Sequence, residues 1–234
     1  MSHGPQNGMK DLEFDRKPET EMIRRSLEIR EQMRQRRSVR HFSPEPIPLP
    51  VLENAVATAA SAPSGANKQP WTFVLVTDPQ LKHRIRVAAE KEELAFYSSR
   101  APQRWLDDLQ PFATNWQKPF LETAPALIVV FAQKHGESQK ERHYYVNESV
   151  GIAVGFLLAA LHQSGLAALT HTPSPMNFLR YVLDRPDNER AFMLIPVGWP
   201  EADCQVPDIQ RKTLDAVLVH KYAPDQRDGK GEPA

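Results

Sequence analysis

The chain has almost no cysteine: Cys204 is the single thiol in 234 residues. One thiol can close no intramolecular disulfide and build no cysteine zinc cluster, and such scarcity fits a reducing compartment. Charge excess is missing as well. Lysine plus arginine and aspartate plus glutamate both number 29, so the molecule as a whole has no electrostatic reason to seek nucleic acid or an anionic membrane. No apolar run is long enough for a bilayer. The most apolar stretch, Val150 to Leu161, falls short of the roughly 20 residues a spanning helix needs and reads as a buried core helix. The opening residues, MSHGPQNGMKDLEF, lack the apolar centre of a secretory signal. The expectation is a cytoplasmic protein with no membrane and no nucleic-acid partner. His135, His143, His162 and His171 fall into no HxxxH or HExxH spacing, so no metal site is expected. GxGxxG and GxxxxGK[ST] are both absent, which excludes the Rossmann and Walker phosphate loops.

What is present is enough apolar residue, 41%, for one substantial core. The domain is placed at residues 18–222, between disordered tails at 1–17 and 223–234. Helical signals run from Pro18 to about Arg37, with Met22, Ile23, Leu27 and Met33 as a loose apolar face that needs a partner surface. A second helix fits Leu49 to Ala60. WTFVLVT, Trp71 to Thr77, has strand composition, and Asp78-Pro79 caps and opens a helix that reaches about Tyr97. Arg100 to Lys118 is irregular and polar around Trp105 and Trp116, which suits a lid at about residues 93–118. APALIVVF, Ala124 to Phe131, reads as a strand buried on both faces. A helix follows over Asn147 to Gln163, then strands at Leu166–Thr170 and Phe192–Val197 around a short helix near Met176–Leu183. Val206 to Tyr222 carries another apolar run that either caps the core as a strand or extends onto a partner. The alternation argues an α/β or α+β sandwich.

One segment stands out against the neutral total: RRSVRHF, Arg36 to Phe42. Clustered guanidinium groups present planar forks of N–H donors that suit a phosphate better than lysine does. Beside Ser38 at a helix end they can cradle one phosphate. Taken alone the same run also reads as a solvated helix end, and it lacks the extended basic footprint of a nucleic-acid surface.

RRSVRHF, PSGANKQPWTFV at Pro63–Val74, HTPSP at His171–Pro175 and PVGWP at Pro196–Pro200, in that order and spacing, resemble the nitroreductase superfamily of FMN-dependent enzymes. The likeness runs from about Arg36 to Val219. It is greatest to the iodotyrosine deiodinases, the branch that reductively removes halogen from halotyrosines. The resemblance implies a nitroreductase-like α+β sandwich with a central, mostly antiparallel sheet. It also implies an intertwined homodimer with each FMN between the subunits. Arg36, Arg37, Ser38 and Arg40 inherit contacts to the FMN phosphate and the polar edge of the flavin. Ser64, Thr170, His171, Thr172 and Arg211 match further cofactor contacts.

Within that branch a lid grips the amino-acid part of the substrate, and the matching residues are Glu93, Tyr97 and Lys118. Their chemistry suits a zwitterion: Glu93 accepts from an ammonium, Lys118 pairs with a carboxylate, and Tyr97 hydrogen-bonds between them. Glu93 and Tyr97, four apart, share one helix face, although such a pair is also commonplace in helices with no function. By the same resemblance the backbone N–H of Ala66 meets the phenolate, and the Thr172 hydroxyl meets flavin N5, a contact that favours one-electron steps over hydride transfer. Thr172 also has a plain reading, as a strand-end hydroxyl satisfying backbone. The implied products are tyrosine and halide. The electron donor is left open, with NAD(P)H through a reductase as the candidate. The alternatives are a general FMN-dependent nitroreductase or quinone reductase, and a non-catalytic flavin- or tyrosine-binding module.

Overall fold

The computed structural model describes residues 8–221. The proposed tail at 223–234, with Tyr222 and residues 1–7, lies outside the described residues. Residues 8–17 carry no helix or strand.

The organising element is the strand that the run ALIVVFAQ forms, Ala126–Gln133, with Ala126 to Ala132 buried. Its side chains alternate between two cores. Ile128 and Val130 enter one, while Leu127, Val129 and Phe131 enter the other. That is why the sequence shows a continuous apolar run and not an alternating one.

In chain order the elements are α1 (Glu19–Gln35), α2 (Leu49–Ala60), β1 (Trp71–Val76), α3 (Pro79–Ala95), α4 (Gln103–Leu109), α5 (Phe120–Thr123), β2 (Ala126–Gln133), α6 (Val146–Gln163), β3 (Ala167–Ala168), α7 (Asn177–Val182) and β4 (Glu189–Gly198). The sheet order is β1-β2-β4-β3, and every neighbouring pair is antiparallel. Trp71 pairs with Ala132 and Ala126 with Val197, with a register shift between Val130 and Phe131. On one face lie α2 and α6, the latter anchored by Val150, Val154, Leu157 and Leu161. The other face packs against α3, α5 and α7 together with Val39 and Phe42 of the arginine segment. The expected α+β sandwich is the architecture found.

Two polar devices place α3. Its first turn is capped by Asp78, whose carboxylate accepts from the Leu81 N–H at 2.7 Å, with Pro79 at the first helical position. Lys82, buried, donates to the carbonyls of Glu122 (2.9 Å) and Ala124 (2.8 Å). α3 is thereby tied to the turn that launches β2, which fixes where its last turn points.

Several expectations are corrected. The α-helical part of α3 stops at Ala95, and a π-helical turn over Phe96–Arg100 carries Tyr97 instead. The stretch expected to be irregular contains α4 and a single 3-10 turn, Gln110–Phe112. The strand expected at Ala124–Phe131 begins two residues later, because Ala124 ends α5. The strand expected at Leu166–Thr170 shrinks to Ala167–Ala168, with His171 making its own bridge to Leu194. β4 is longer than Phe192–Val197 at both ends. Residues 206–221 form no strand; they hold one turn, Leu214–Ala216, and leave Leu214 and Val217 to Val219 exposed. α1 has no buried residue, and its apolar side chains Met22, Ile23 and Leu27 face outward.

The join between sheet and arginine segment is tight at Gly198, opposite Ala167. A Cβ there sits 2.7 Å from Pro125 Cδ and 3.1 Å from Phe42 Cδ1, both on rings that cannot swing away. Gly198→Ala is expected to lower stability by about 1–3 kcal/mol, read from the midpoint of urea unfolding.

Candidate active site

The segment after α1 is extended and anchored at alternate points. The Val39 N–H donates to the Ala168 carbonyl at 3.3 Å and the Ser43 N–H to that of Trp199 at 2.9 Å, while Val39 and Phe42 are buried. With those two apolar residues in the core, the arginines between and before them are held near the surface. Arg36, Arg37, Ser38 and Arg40 line one cavity of about 240 Å³ together with Arg211. The Arg211 guanidinium donates to the carbonyls of Arg34 (3.0 Å) and Arg36 (2.8 Å), and that of Arg37 to the carbonyl of Pro207. Loop 207–211 is so stitched to the segment. Burial lowers the pKa of Arg36, helped by the positive charges of Arg211 and Arg37, and burial also lowers that of Arg40. An anion seated among them relieves both effects.

Arg40 is also a wall of a second cavity, about 200 Å³, which contains Glu93, Tyr97, Lys118, Thr170, His171 and Thr172. The two basic and acidic partners of the expected lid meet directly: Lys118 Nζ lies 3.2 Å from Glu93 Oε2, with side-chain exposures of 4% and 11%. Burial raises the Glu93 pKa and lowers that of Lys118, in each case against the pull of the other. Desolvation therefore outweighs the pairing for both. Lys118 Nζ also donates to Thr114 Oγ1 at 3.3 Å and to the Asn115 carbonyl, and its N–H donates to Glu90 Oε1 at 2.6 Å. Tyr97 sits beneath the ammonium, with its ring centroid 5.4 Å from Nζ. Phe96 stands edge-on to Tyr97 and to Trp105, so the wall of this cavity is an aromatic staircase.

Thr170, His171 and Thr172 follow extended-chain alternation: the threonines are exposed and His171 is buried. His171 is fixed through its backbone, which exchanges both hydrogen bonds with Leu194 (2.9 and 3.0 Å). Its ring is edge-on to Phe120 at 5.5 Å, and Nε2, fully enclosed, has no hydrogen-bond partner among the described residues.

Ser64 and Ala66 do not line either cavity. Ser64 Oγ accepts from the Gln69 N–H at 2.9 Å, and Ala66, Asn67 and Gln69 all have positive φ, 46°, 54° and 47°. A side chain on Gly65 would meet Tyr145 at 3.0 Å and Tyr144 at 3.2 Å. This strained turn is thus seated on a tyrosine pair, apart from the other expected site residues. Trp116 is absent from the cavity wall, whereas Trp105 is part of it. Two members escaped sequence reasoning. Thr114 is signalled only by its place four residues before Lys118, and Phe112, 5.8 Å beneath the Arg40 guanidinium, by nothing local.

His171 has a pKa lowered to about 3 by burial first, then by Lys118 and Arg40. Below pH 6.5 the unfolded chain takes up a proton there that the folded chain refuses. Its contribution to stability is full above that pH and declines as pH falls toward about 3, by up to about 1.4 kcal/mol per unit. Urea midpoints of the wild type and His171→Leu, compared at pH 7.5 and 5, are expected to show the steeper acid loss in the wild type.

The nitroreductase family profile matches residues 33–199. The chain is 59% identical over 202 residues to an iodotyrosine deiodinase of Haliscomenobacter hydrossis, covering 85% of this chain and 91% of that one. It is 48% identical over 206 residues to human iodotyrosine deiodinase 1, covering 86% and 71%. Among solved structures, an oxidized iodotyrosine deiodinase bound to FMN and 3-iodo-L-tyrosine superposes with a TM-score of 0.71 at 34% identity, over 83% of this chain and 98% of that one. With its arginine segment, its sheet and residues 93–118 all inside the matched region, the chain belongs to the nitroreductase family.

Proposed function

We propose that this protein is an FMN-dependent oxidoreductase that removes halogen from halotyrosines. The observation that carries the reading is the buried Glu93–Lys118 pair, which shares Arg40 with an arginine-walled cavity next door. The fit to FMN rests on this chain's chemistry. Four guanidinium groups, those of Arg36, Arg37, Arg40 and Arg211, have no carboxylate partner among the described residues, so a phosphate supplies what the cradle lacks.

When bound and reduced, FMN supplies the two electrons that, with one proton, convert a halotyrosine to tyrosine and halide. The chain's own work is binding and positioning. Glu93 accepts from the ligand ammonium, Lys118 donates to its carboxylate, and Tyr97 hydrogen-bonds between them. Thr172 and Thr170, exposed on the rim beside Arg40, face the flavin with His171 between them. Phe96 and Trp105 keep water from the ring. The N–H of Ala66, held in the left-handed region, donates to the phenolate and stabilises the negative charge there.

Because Ser64 and Ala66 lie away from both cavities, a second copy of the chain completes the site. The outer face of α6 suits that role: Gly151 and Gly155 have open space where a Cβ would project, and Ile152 and Phe156 are exposed. Small residues at this spacing let two backbones approach closely, and the exposed apolar face of α1 extends the surface. Lid boundaries at about 93–118 and the domain at 18–222 are part of the same reading. No described helix is long and apolar enough to cross a membrane; a cytoplasmic location, and NAD(P)H through a separate reductase as electron source, are proposed with it.

Titration of the FMN-loaded protein with 3-iodotyrosine is expected to quench flavin fluorescence. Glu93→Gln and Lys118→Ala should each weaken binding on the order of ten- to hundredfold. Absence of quenching with a nitroaromatic still reduced would assign the chain to general nitroreduction. Gly155→Leu, at a position where a Cβ meets nothing within 4 Å among the described residues, is expected to turn a dimer into a monomer in analytical ultracentrifugation and to release FMN.

A further inference from the structure

The buried ring of His171 is the polar group that the proposed mechanism leaves without a task. Its Nε2 is enclosed, lacks a hydrogen-bond partner among the described residues, and lies 3.8 Å from Glu93 Oε1. That separation is too long for a hydrogen bond and too short for a water to sit between. The other carboxylate oxygen, Oε2, is the one held by Lys118. Glu93 therefore has one oxygen engaged and one directed at a silent imidazole.

The surroundings fix the ring's chemistry. Arg40 and Lys118 are both close enough to oppose a third positive charge, and Phe120 covers a ring edge from α5. The imidazole is neutral, and a neutral ring facing a carboxylate oxygen presents N–H and not a lone pair. Neutrality also preserves the charge balance that a zwitterion needs, since a protonated His171 would compete with the ligand's ammonium for Glu93.

We propose that His171 is a positioning residue for Glu93: on zwitterion binding Glu93 Oε1 closes onto the His171 Nε2–H, which holds the carboxylate toward the ligand's ammonium. This rests on the reading of Glu93 and Lys118 as the zwitterion clamp. When Lys118 turns to the ligand's carboxylate, Glu93 loses its internal partner. The His171 backbone is paired with Leu194, and its buried ring is packed edge-on to Phe120, so it does not follow the ligand. It is thus a fixed reference that keeps Glu93 from swinging with the lid.

The test compares two ligands by calorimetric titration of the FMN-loaded protein: 3-iodotyrosine, and 2-iodophenol, which has the ring without the zwitterion. His171→Leu is expected to weaken iodotyrosine roughly ten- to hundredfold while leaving iodophenol within about twofold. His171→Gln, whose side-chain amide still donates, should restore iodotyrosine to within about threefold of wild type. Retained FMN content and an unchanged unfolding midpoint at pH 7.5 in His171→Gln control for folding. The proposal is overturned if His171→Leu binds iodotyrosine as the wild type does, if it loses both ligands equally, or if glutamine fails to restore what leucine removes. A wild type that prefers iodophenol or binds the two alike overturns the zwitterion clamp itself, and this inference falls with it. A wild type that prefers iodotyrosine with an indifferent His171→Leu overturns the inference alone.

Discussion

Two opposite charges buried 3.2 Å apart, on Glu93 and Lys118, are the constraint around which the rest is arranged. Taking both from water costs several kcal/mol that their mutual attraction does not fully return, and the opposed pKa shifts of the two groups say the same. The surrounding polar contacts make the pair tolerable. Glu90, Thr114 and the Asn115 carbonyl all hold Lys118 or its backbone. The pair joins the end of α3 to the loop that leads into α5, and α4 with the π-helical turn lies between those points. The loop before α5 is consequently tied to α3 twice through Lys118, by its ammonium to Glu93 and by its backbone N–H to Glu90. On the proposed reading a zwitterion presents the same two charges in a form that can replace each partner for the other. Much of the desolvation a ligand must overcome has already been incurred on folding.

Charge neutrality of the whole chain hides a second arrangement. The arginines of α1 are neutralised on their own helix: Arg24 and Arg25 by Glu21 at 2.8 and 2.6 Å, Arg30 by Glu31 at 2.8 Å. Those pairs are exposed and contribute little each. A few residues later the pattern stops. Arg36, Arg37, Arg40 and Arg211 turn to backbone carbonyls, an aromatic face or solvent instead of carboxylates. The transition from paired to unpaired guanidinium occurs at the end of α1, where Val39 and Phe42 enter the core and set the direction of the chain. Packing and charge are thus coupled: the buried residues aim the unburied ones.

The legible parts of the fold were those where one physical cause dominated. β2 was visible because burial on both faces demands an unbroken apolar run, and the start of α3 because Asp78-Pro79 supplies both cap and first-turn geometry. α6 was visible because its buried stripe is long. The helical structure within residues 96–109 was not, since α4 and the π-helical turn take their shape from Trp105, Phe96 and Tyr97 packing edge-on against one another, contacts with no sequence periodicity. β3 is short because Leu169 faces Pro196, which accepts from the Leu169 N–H but has no N–H to return, and full pairing with β4 resumes only at His171 and Leu194. At the site, resemblance brought Arg36, Arg37, Ser38, Arg40 and Arg211 to one cavity and Glu93, Tyr97 and Lys118 to the next, as the structure places them. It could not announce that Ser64 and Ala66 line neither cavity, because a motif carries no label for where its residues lie relative to the others.

That separation gives the exposed apolar surfaces a common explanation. α1 is a 17-residue helix with no buried residue, and helices of such length are marginal in water without tertiary support. α6 presents glycines and Phe156 outward although its inner face is fully committed to the core. On the proposed reading both faces are covered by the second copy, and the strained turn at Ala66 is delivered to the partner's cavity by the same contact. Cofactor and dimer then stabilise one another by mass action, because FMN meets its full set of donors only when two chains are together. On that reading each neutral chain contributes half of every site, and the cavity of one chain is finished by the turn of the other.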